Sequence, residues 1–195
     1  SMTQTPQSVI DASVQFDLGF RANVNRGIYK LAELSSFAYE ESRSQIAKFL
    51  NARSKDEIIF TSGTTSAINI IAQSICKDLL PGDEIVLSQL EHHSNLVPWR
   101  LASDGRGIKI KFIPITEDGR LDLSVLEHLI TDRCRIVALT HGSNVTGAIT
   151  EIEIVAKVAR SVGAYILLDG AQVAPHQKID VQSLNVDFYT FSGHK

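Results

Sequence analysis

Two apolar runs separated by a helix-length segment decide the fold class of this chain. The runs are Arg135-Ile-Val-Ala-Leu-Thr140 and Tyr165-Ile-Leu-Leu-Asp169, and residues 152–162 between them have the pattern of a helix. Strands that are apolar at nearly every position are typical of parallel sheets covered by helices on both faces. The stretch therefore predicts a βαβ unit with parallel strands.

The same alternation of strands and helices extends to both sides of this stretch. Further strands are predicted over residues 57–61, 84–88, 108–113 and 187–191, and helices over 64–79, 95–103 and 123–130. A long amphipathic helix is predicted from residue 31 to about residue 51, after a lead-in of 25 residues with some helix. The sequence as a whole predicts an α/β fold, with a mostly parallel sheet flanked by helices.

Length, charge and cysteine content exclude several classes of protein. The 195 residues suffice for one hydrophobic core, and 22 acidic against 19 basic side chains give a net charge of −3. This charge, with no basic stripe, argues against nucleic-acid binding. No apolar run approaches the roughly 18–20 residues that span a bilayer. No secretory signal opens the chain and its two cysteines are expected to be free, so we expect a cytoplasmic protein.

Polar residues gather where the predicted strands end. The clusters are Thr61-Ser-Gly-Thr-Thr65, Gln89-Leu-Glu-His-His-Ser-Asn95, Thr140-His-Gly-Ser-Asn-Val-Thr-Gly147, Asp169-Gly-Ala-Gln172 and Ser192-Gly-His-Lys195. In open parallel sheets, ligands bind outside the carboxyl ends of the strands. Five polar clusters at one such edge predict a binding site there.

The chemistry of four positions narrows the kind of site, although each has a plainer alternative. Thr64 and Thr65 follow a glycine at a helix start, which suits either a phosphate or an ordinary N-cap. Asp169 ends an apolar strand, where it can hold a heteroaromatic nitrogen protonated, ligate a metal or cap a turn. A metal site is disfavoured, because no second carboxylate lies near Asp169 in the sequence. One of the pair His92 and His93 suits stacking on a planar ring and proton transfer, and a structural role is the plainer alternative for either. Lys195 suits a Schiff base or a solvated surface.

Taken together, these residues resemble the fold-type I pyridoxal-5′-phosphate (PLP) enzymes of aminotransferase class V. Within that class, the chain is most similar to the group II, SUF-type cysteine desulfurases and selenocysteine lyases. Four segments carry the resemblance: residues 58–69, 88–99, 140–147 and 186–195. Residues 26–195 would then be part of the PLP-binding large domain of this family, following a lead-in over residues 1–25.

The resemblance implies a role for each residue of the predicted site. Lys195 would hold PLP as a Schiff base and move protons, Asp169 would pair with the pyridinium nitrogen, and His92 would stack on the ring and act in acid–base steps. Gln172 and Asn144 would bind near the phenolic oxygen of the ring. The phosphate would be held by Thr64, Thr65, Ser192 and His194. No metal is expected.

The family reaction converts L-cysteine to L-alanine and leaves the sulfur as a persulfide, which passes to an acceptor protein for iron–sulfur cluster assembly. The resemblance also implies a homodimer. Family members continue beyond the lysine into a small C-terminal domain that carries the persulfide cysteine, so this chain is expected to be part of a longer polypeptide or else a natural truncation. Another class V activity (selenocysteine lyase, epimerase-like enzyme or aminotransferase) and a catalytically incompetent scaffold remain open as alternatives.

Overall fold

The computed structural model describes residues 3–195. By their contacts these divide into two units, which are described in turn: the described residues up to Ile59 together with His194 and Lys195, here called the terminal unit, and Phe60–Gly193, here called the sheet unit. None of the helices in the described part of the chain is long and apolar enough to cross a membrane.

Two helices dominate the terminal unit. They are α1 (Gln7–Gly19) and α2 (Lys30–Leu50), and α2 is followed by Asn51, which takes the left-handed conformation common after helices. The long helix predicted to end near residue 51 is thus confirmed. The predicted lead-in contains a regular helix of 13 residues, α1, none of whose side chains is buried.

The predicted strand over residues 57–61 is wrong. The structure has a 3-10 turn at Lys55–Glu57 and no strand from there to the end of this segment. The backbone of Ile58 is used otherwise, because its N–H donates to the carbonyl of Lys55 and its carbonyl accepts from Nε of Arg43. Because the N–H and carbonyl of Ile58 are already hydrogen-bonded, they do not pair with a neighbouring strand.

The sheet unit contains the parallel sheet that the sequence predicted. Its elements in chain order are α3 (Thr64–Lys77), β1 (Glu84–Ser88), α4 (Val97–Ser103), β2 (Lys109–Ile113), α5 (Leu126–Leu129), β3 (Cys134–Thr140), α6 (Ile152–Ser161), β4 (Tyr165–Asp169), α7 (Val181–Leu184) and β5 (Phe188–Thr190). The strands lie in the order β2-β1-β3-β4-β5, and every pair is parallel. The short helix α7 had no counterpart in the sequence prediction.

Helices cover both faces of the sheet, as the apolar strands predicted. Alternate residues of each strand enter two separate cores, one with α6 and the other with α3 and α4. Val137 and Leu139 of β3 belong to the first core, whereas Ile136 and Ala138 belong to the second. Because side chains alternate along a strand, both cores come from the same residues that made the runs continuous.

Both cysteines are free and buried in these cores. Burial raises the pKa of the Cys76 thiol, and it raises the pKa of Cys134 to about 12. A thiol must ionise to act as a nucleophile. Neither cysteine is therefore suited to reactive sulfur chemistry.

Candidate active site

Four of the five polar clusters follow neighbouring strands of the sheet. The strands β1, β3, β4 and β5 lie side by side and parallel, so their carboxyl ends share one edge. The fifth cluster precedes α3 rather than following a strand, because residues 57–61 form none. The prediction of a polar edge is otherwise confirmed for the sheet unit.

Direct hydrogen bonds connect these clusters to one another. The N–H of Thr140 donates to Oε1 of Glu91 at 2.9 Å, joining the ends of β3 and β1. The N–H of His141 donates to the carbonyl of Asp169 at 2.9 Å, and the N–H of Gly170 donates to the carbonyl of Thr190 at 2.7 Å. The polar edge is therefore one connected structure across four strands.

The start of α3 has the properties of an anion site. Its N-cap residue, Gly63, has φ of +135°, a conformation that favours glycine, and contributes no side-chain cap. The hydroxyl of Ser192 provides the cap instead, because it accepts from the N–H of Thr64 at 3.2 Å and lies 2.7 Å from Oγ1 of Thr64. Both side chains are buried, while Thr65 on the first turn is exposed. Hydroxyls, helix N–H groups and the helix dipole all favour a phosphate here.

Asp169 is buried at the end of β4 with only 5% of its surface exposed. Its carboxylate accepts from the N–H of Ala171 at 3.0 Å, and Gln172 follows half-buried in the same turn. A buried carboxylate favours a cationic partner, such as a protonated ring nitrogen. No group of three or more His, Cys, Asp and Glu side chains suited to a metal ion occurs among residues 3–195.

His92 has an exposed ring whose protonation pattern is set by the turn that follows it. The N–H of Ser94 donates to Nδ1 of His92 at 3.1 Å, and the Ser94 hydroxyl lies 2.8 Å from the same atom. A backbone N–H can only donate, so Nδ1 is the acceptor and the proton of the neutral ring lies on Nε2. The neutral ring therefore carries its N–H at Nε2.

The remaining predicted residues have less defined surroundings. Asn144 is exposed in the loop after β3. His194 is exposed and Lys195 half-buried, and both belong to the terminal unit, where the carbonyl of His194 accepts from the hydroxyl of Thr3 at 3.5 Å.

Three residues of the polar edge had no role in the sequence prediction: Glu91, His141 and Tyr189. Nδ1 of His141 lies 3.2 Å from the Tyr189 hydroxyl, and burial lowers the pKa of His141. Burial and the nearby charge of Asp169 raise the pKa of Tyr189. The position of Glu91 directly before the histidine pair was the available signal, but its contact with Thr140 joins residues distant in sequence.

Burial raises the pKa of Glu91 to about 7. Hydrogen bonds from Ser88, Thr140 and Asn95 oppose this shift, and the charge of Asp169 adds a smaller increase. Carboxyls shifted this far occur preferentially at functional sites. The edge thus combines a buried aspartate, a second carboxyl titrating near neutral pH, an imidazole in a fixed tautomer and an anion site. Such a set can bind a phosphorylated heteroaromatic ring and move protons.

Known proteins are similar to this chain in sequence and in structure. The chain is 44% identical over 98% of its length to a cysteine desulfurase from Pectobacterium carotovorum, and it covers 47% of that relative. The structure is similar to that of a cysteine desulfurase from Thermococcus onnurineus, with a TM-score of 0.94 and 39% identity over 100% of this chain and 48% of the other. A cysteine desulfurase from Escherichia coli gives a TM-score of 0.89 and 40% identity, over 99% of this chain and 49% of the other.

The chain spans about half the length of the curated relatives it matches. The family model that describes class V aminotransferases matches residues 1–195. With the parallel sheet and its polar edge in place, the chain belongs to the aminotransferase class-V family.

Proposed function

We propose that the complete protein is a PLP-dependent cysteine desulfurase, which converts L-cysteine to L-alanine and passes on the sulfur as a persulfide. One observation carries the proposal: the buried carboxylate of Asp169 ends β4, at the same edge of the sheet as the His92 loop after β1 and Ser192 of the anion site after the neighbouring strand β5. The identity of 44% to a named cysteine desulfurase supports the choice of reaction.

The residues of the sheet unit fit PLP at both ends of that molecule. The start of α3, where Ser192 caps Thr64, suits the phosphate. Asp169 suits the pyridine nitrogen, because its buried negative charge is stabilised by a proton on that nitrogen. When bound, PLP would supply an electron sink for the carbanion formed at Cα of the amino acid.

Each predicted site residue keeps its role as part of this proposal. His92 presents Nε2–H, so it can stack on a planar ring while holding or passing a proton at that atom. Lys195 would bind PLP covalently, an assignment that rests on the Ser-Gly-His-Lys resemblance. The other assignments are Thr64, Thr65, Ser192 and His194 for the phosphate, and Gln172 and Asn144 for the phenolic oxygen.

The proposal extends to the setting of the reaction. Residues 26–195 would form part of the PLP-binding large domain, and the persulfide cysteine would be supplied from outside this chain, since Cys76 and Cys134 are buried. We propose a homodimer that delivers sulfur to an acceptor protein for iron–sulfur cluster assembly. A cytoplasmic location suits two free thiols.

Spectroscopy combined with peptide mapping tests the cofactor assignment. The protein is mixed with PLP, reduced with borohydride and digested, and we expect the pyridoxyl mass on the peptide that contains Lys195. A Lys195→Ala variant should lose the adduct, whereas Lys157→Ala, an exposed lysine of α6, should keep it. An adduct retained in the Lys195→Ala variant would contradict the assignment.

Product analysis on the complete protein tests the reaction. Incubation with L-cysteine should give equal amounts of alanine and of sulfur, released as sulfide in the presence of a thiol reductant. Selenocysteine and other amino acids serve as competing substrates. Pyruvate formation, racemisation or transfer of the amino group instead of alanine would assign the protein to another class V activity.

A further inference from the structure

Three hydrogen-bond donors converge on the carboxylate of Glu91, just after the end of β1. The Ser88 hydroxyl and the N–H of Thr140 both donate to Oε1, the latter at 2.9 Å, and Nδ2 of Asn95 donates to Oε2 at 2.6 Å. Ser88 and Thr140 end two neighbouring strands of the sheet. Glu91 thus connects the loop that carries His92 to the ends of strands β1 and β3 through hydrogen bonds.

The orientation of the Asn95 amide is fixed from the core. Nε1–H of Trp99, a fully buried side chain, donates to Oδ1 of Asn95 at 2.9 Å. An indole N–H can only donate, so Oδ1 must face Trp99 and the amide NH2 must face Glu91. Glu91 must therefore accept hydrogen bonds both from the NH2 group of Asn95 and from the N–H of Thr140, and the two oxygens of a carboxylate can do so.

The same interactions determine the geometry of His92. Asn95 closes the 3-10 turn His93–Asn95 by donating its N–H to the carbonyl of His92 at 2.8 Å. Within that turn, the N–H of Ser94 donates to Nδ1 of His92. If Asn95 were released, the turn that keeps Nδ1 an acceptor would lose its anchor.

We propose that Glu91 is a positioning residue that fixes the orientation and the tautomer of His92 through Asn95 and the His93–Asn95 turn. The use made of His92 rests on the proposed function, but the positioning itself does not. The raised pKa of Glu91 supports this assignment, because keeping a desolvated carboxyl in place of a neutral side chain is costly.

Exchange of donor and acceptor between positions 91 and 95 provides a sharp test. In Glu91→Gln, the oxygen of the new amide can serve Ser88 and Thr140, but its NH2 then faces the NH2 of Asn95. Adding Asn95→Asp replaces that NH2 by an oxygen and leaves an acceptor for Trp99. The double variant should therefore restore the contact that the single variant loses. Glu127→Gln, at an exposed glutamate, is the matched control for loss of one charge.

The readout is the ¹⁵N spectrum of the histidine side chains in the cofactor-free protein, with the His92 signal assigned through His92→Gln. We expect one tautomer, with the proton on Nε2, in the wild type, the control and the double variant, and a mixture of tautomers in Glu91→Gln. Turnover of the loaded protein should follow the same order, with a loss of up to about 100-fold in Glu91→Gln.

An unchanged His92 signal in Glu91→Gln would overturn the proposal, as would a mixture of tautomers in the wild type. If Glu91→Gln does not fold, the double variant decides, because failure to restore both the fold and the single tautomer would overturn the proposal. A shifted tautomer without a change in turnover would support the positioning role of Glu91 and refute the proposed role of His92.

Discussion

Gly170 follows the buried Asp169 at the end of β4, and a single added methyl group there tests how closely the strands pack. A Cβ at position 170 would lie 2.1 Å from both Cζ and Oη of Tyr189, about 0.9 Å inside the 3.0 Å limit of real contacts. The Tyr189 ring is rigid and belongs to β5, so relief requires the ring or the strand to move.

The cost of Gly170→Ala can be worked out from these contacts. Overpacking a filled site typically costs about 1–3 kcal/mol. Displacing the Tyr189 ring also breaks its hydrogen bond to His141, at a cost of about 1 kcal/mol. We therefore expect the free energy of unfolding to fall by about 2–4 kcal/mol, a large fraction of the stability of an ordinary domain.

Urea unfolding monitored by circular dichroism measures this change. Gly19→Ala is the matched control, because a Cβ at Gly19 meets no atom within 4 Å. In a Tyr189→Ala background, the cost of Gly170→Ala should drop to within about 0.5 kcal/mol of zero. Equal costs in the two backgrounds, or a Gly170→Ala variant as stable as the wild type, would refute the reasoning.

Three further predictions concern the polar edge. Ser192→Ala removes the cap that Thr64 uses, so the free energy of unfolding should fall by about 1 kcal/mol, and urea unfolding should show this together with weaker PLP binding. Asp169→Asn keeps an oxygen for the N–H of Ala171, so stability should change by less than about 1 kcal/mol while PLP affinity, measured by titration, falls at least about tenfold. The pKa of Glu91 is about 7 in the folded protein against 4.5 as a reference, so the folded state binds more protons between these values. The contribution of Glu91 to the free energy of unfolding should therefore decline as pH rises from 4.5 to 7, at no more than about 1.4 kcal/mol per pH unit. Glu91→Gln should remove this contribution to the pH dependence. If the free energy of unfolding depended on pH in the same way in the wild type and in Glu91→Gln, the prediction would be contradicted.

Most of the secondary structure follows from local sequence patterns. The strands Glu84–Ser88 and Tyr165–Asp169 begin and end where the apolar runs do, since turn residues such as Pro81-Gly82 precede one of them and polar residues follow both. Residues 57–61 carry the same kind of pattern and form no strand. A strand depends on a neighbour to share its backbone hydrogen bonds, and no local pattern reveals whether that neighbour exists.

The sequence by itself determined the parallel α/β fold and the polar edge of its sheet, because burial patterns are local. It also predicted Asp169, His92 and Lys195 as site residues, from their chemistry and from the family resemblance. Only the tertiary structure decided that Glu91 accepts from Thr140 and that Tyr189 lies against Gly170. These contacts join residues far apart in sequence, 49 positions in the case of Glu91 and Thr140. Their partners are set by the order and register of the strands, which a pattern of single residues does not specify.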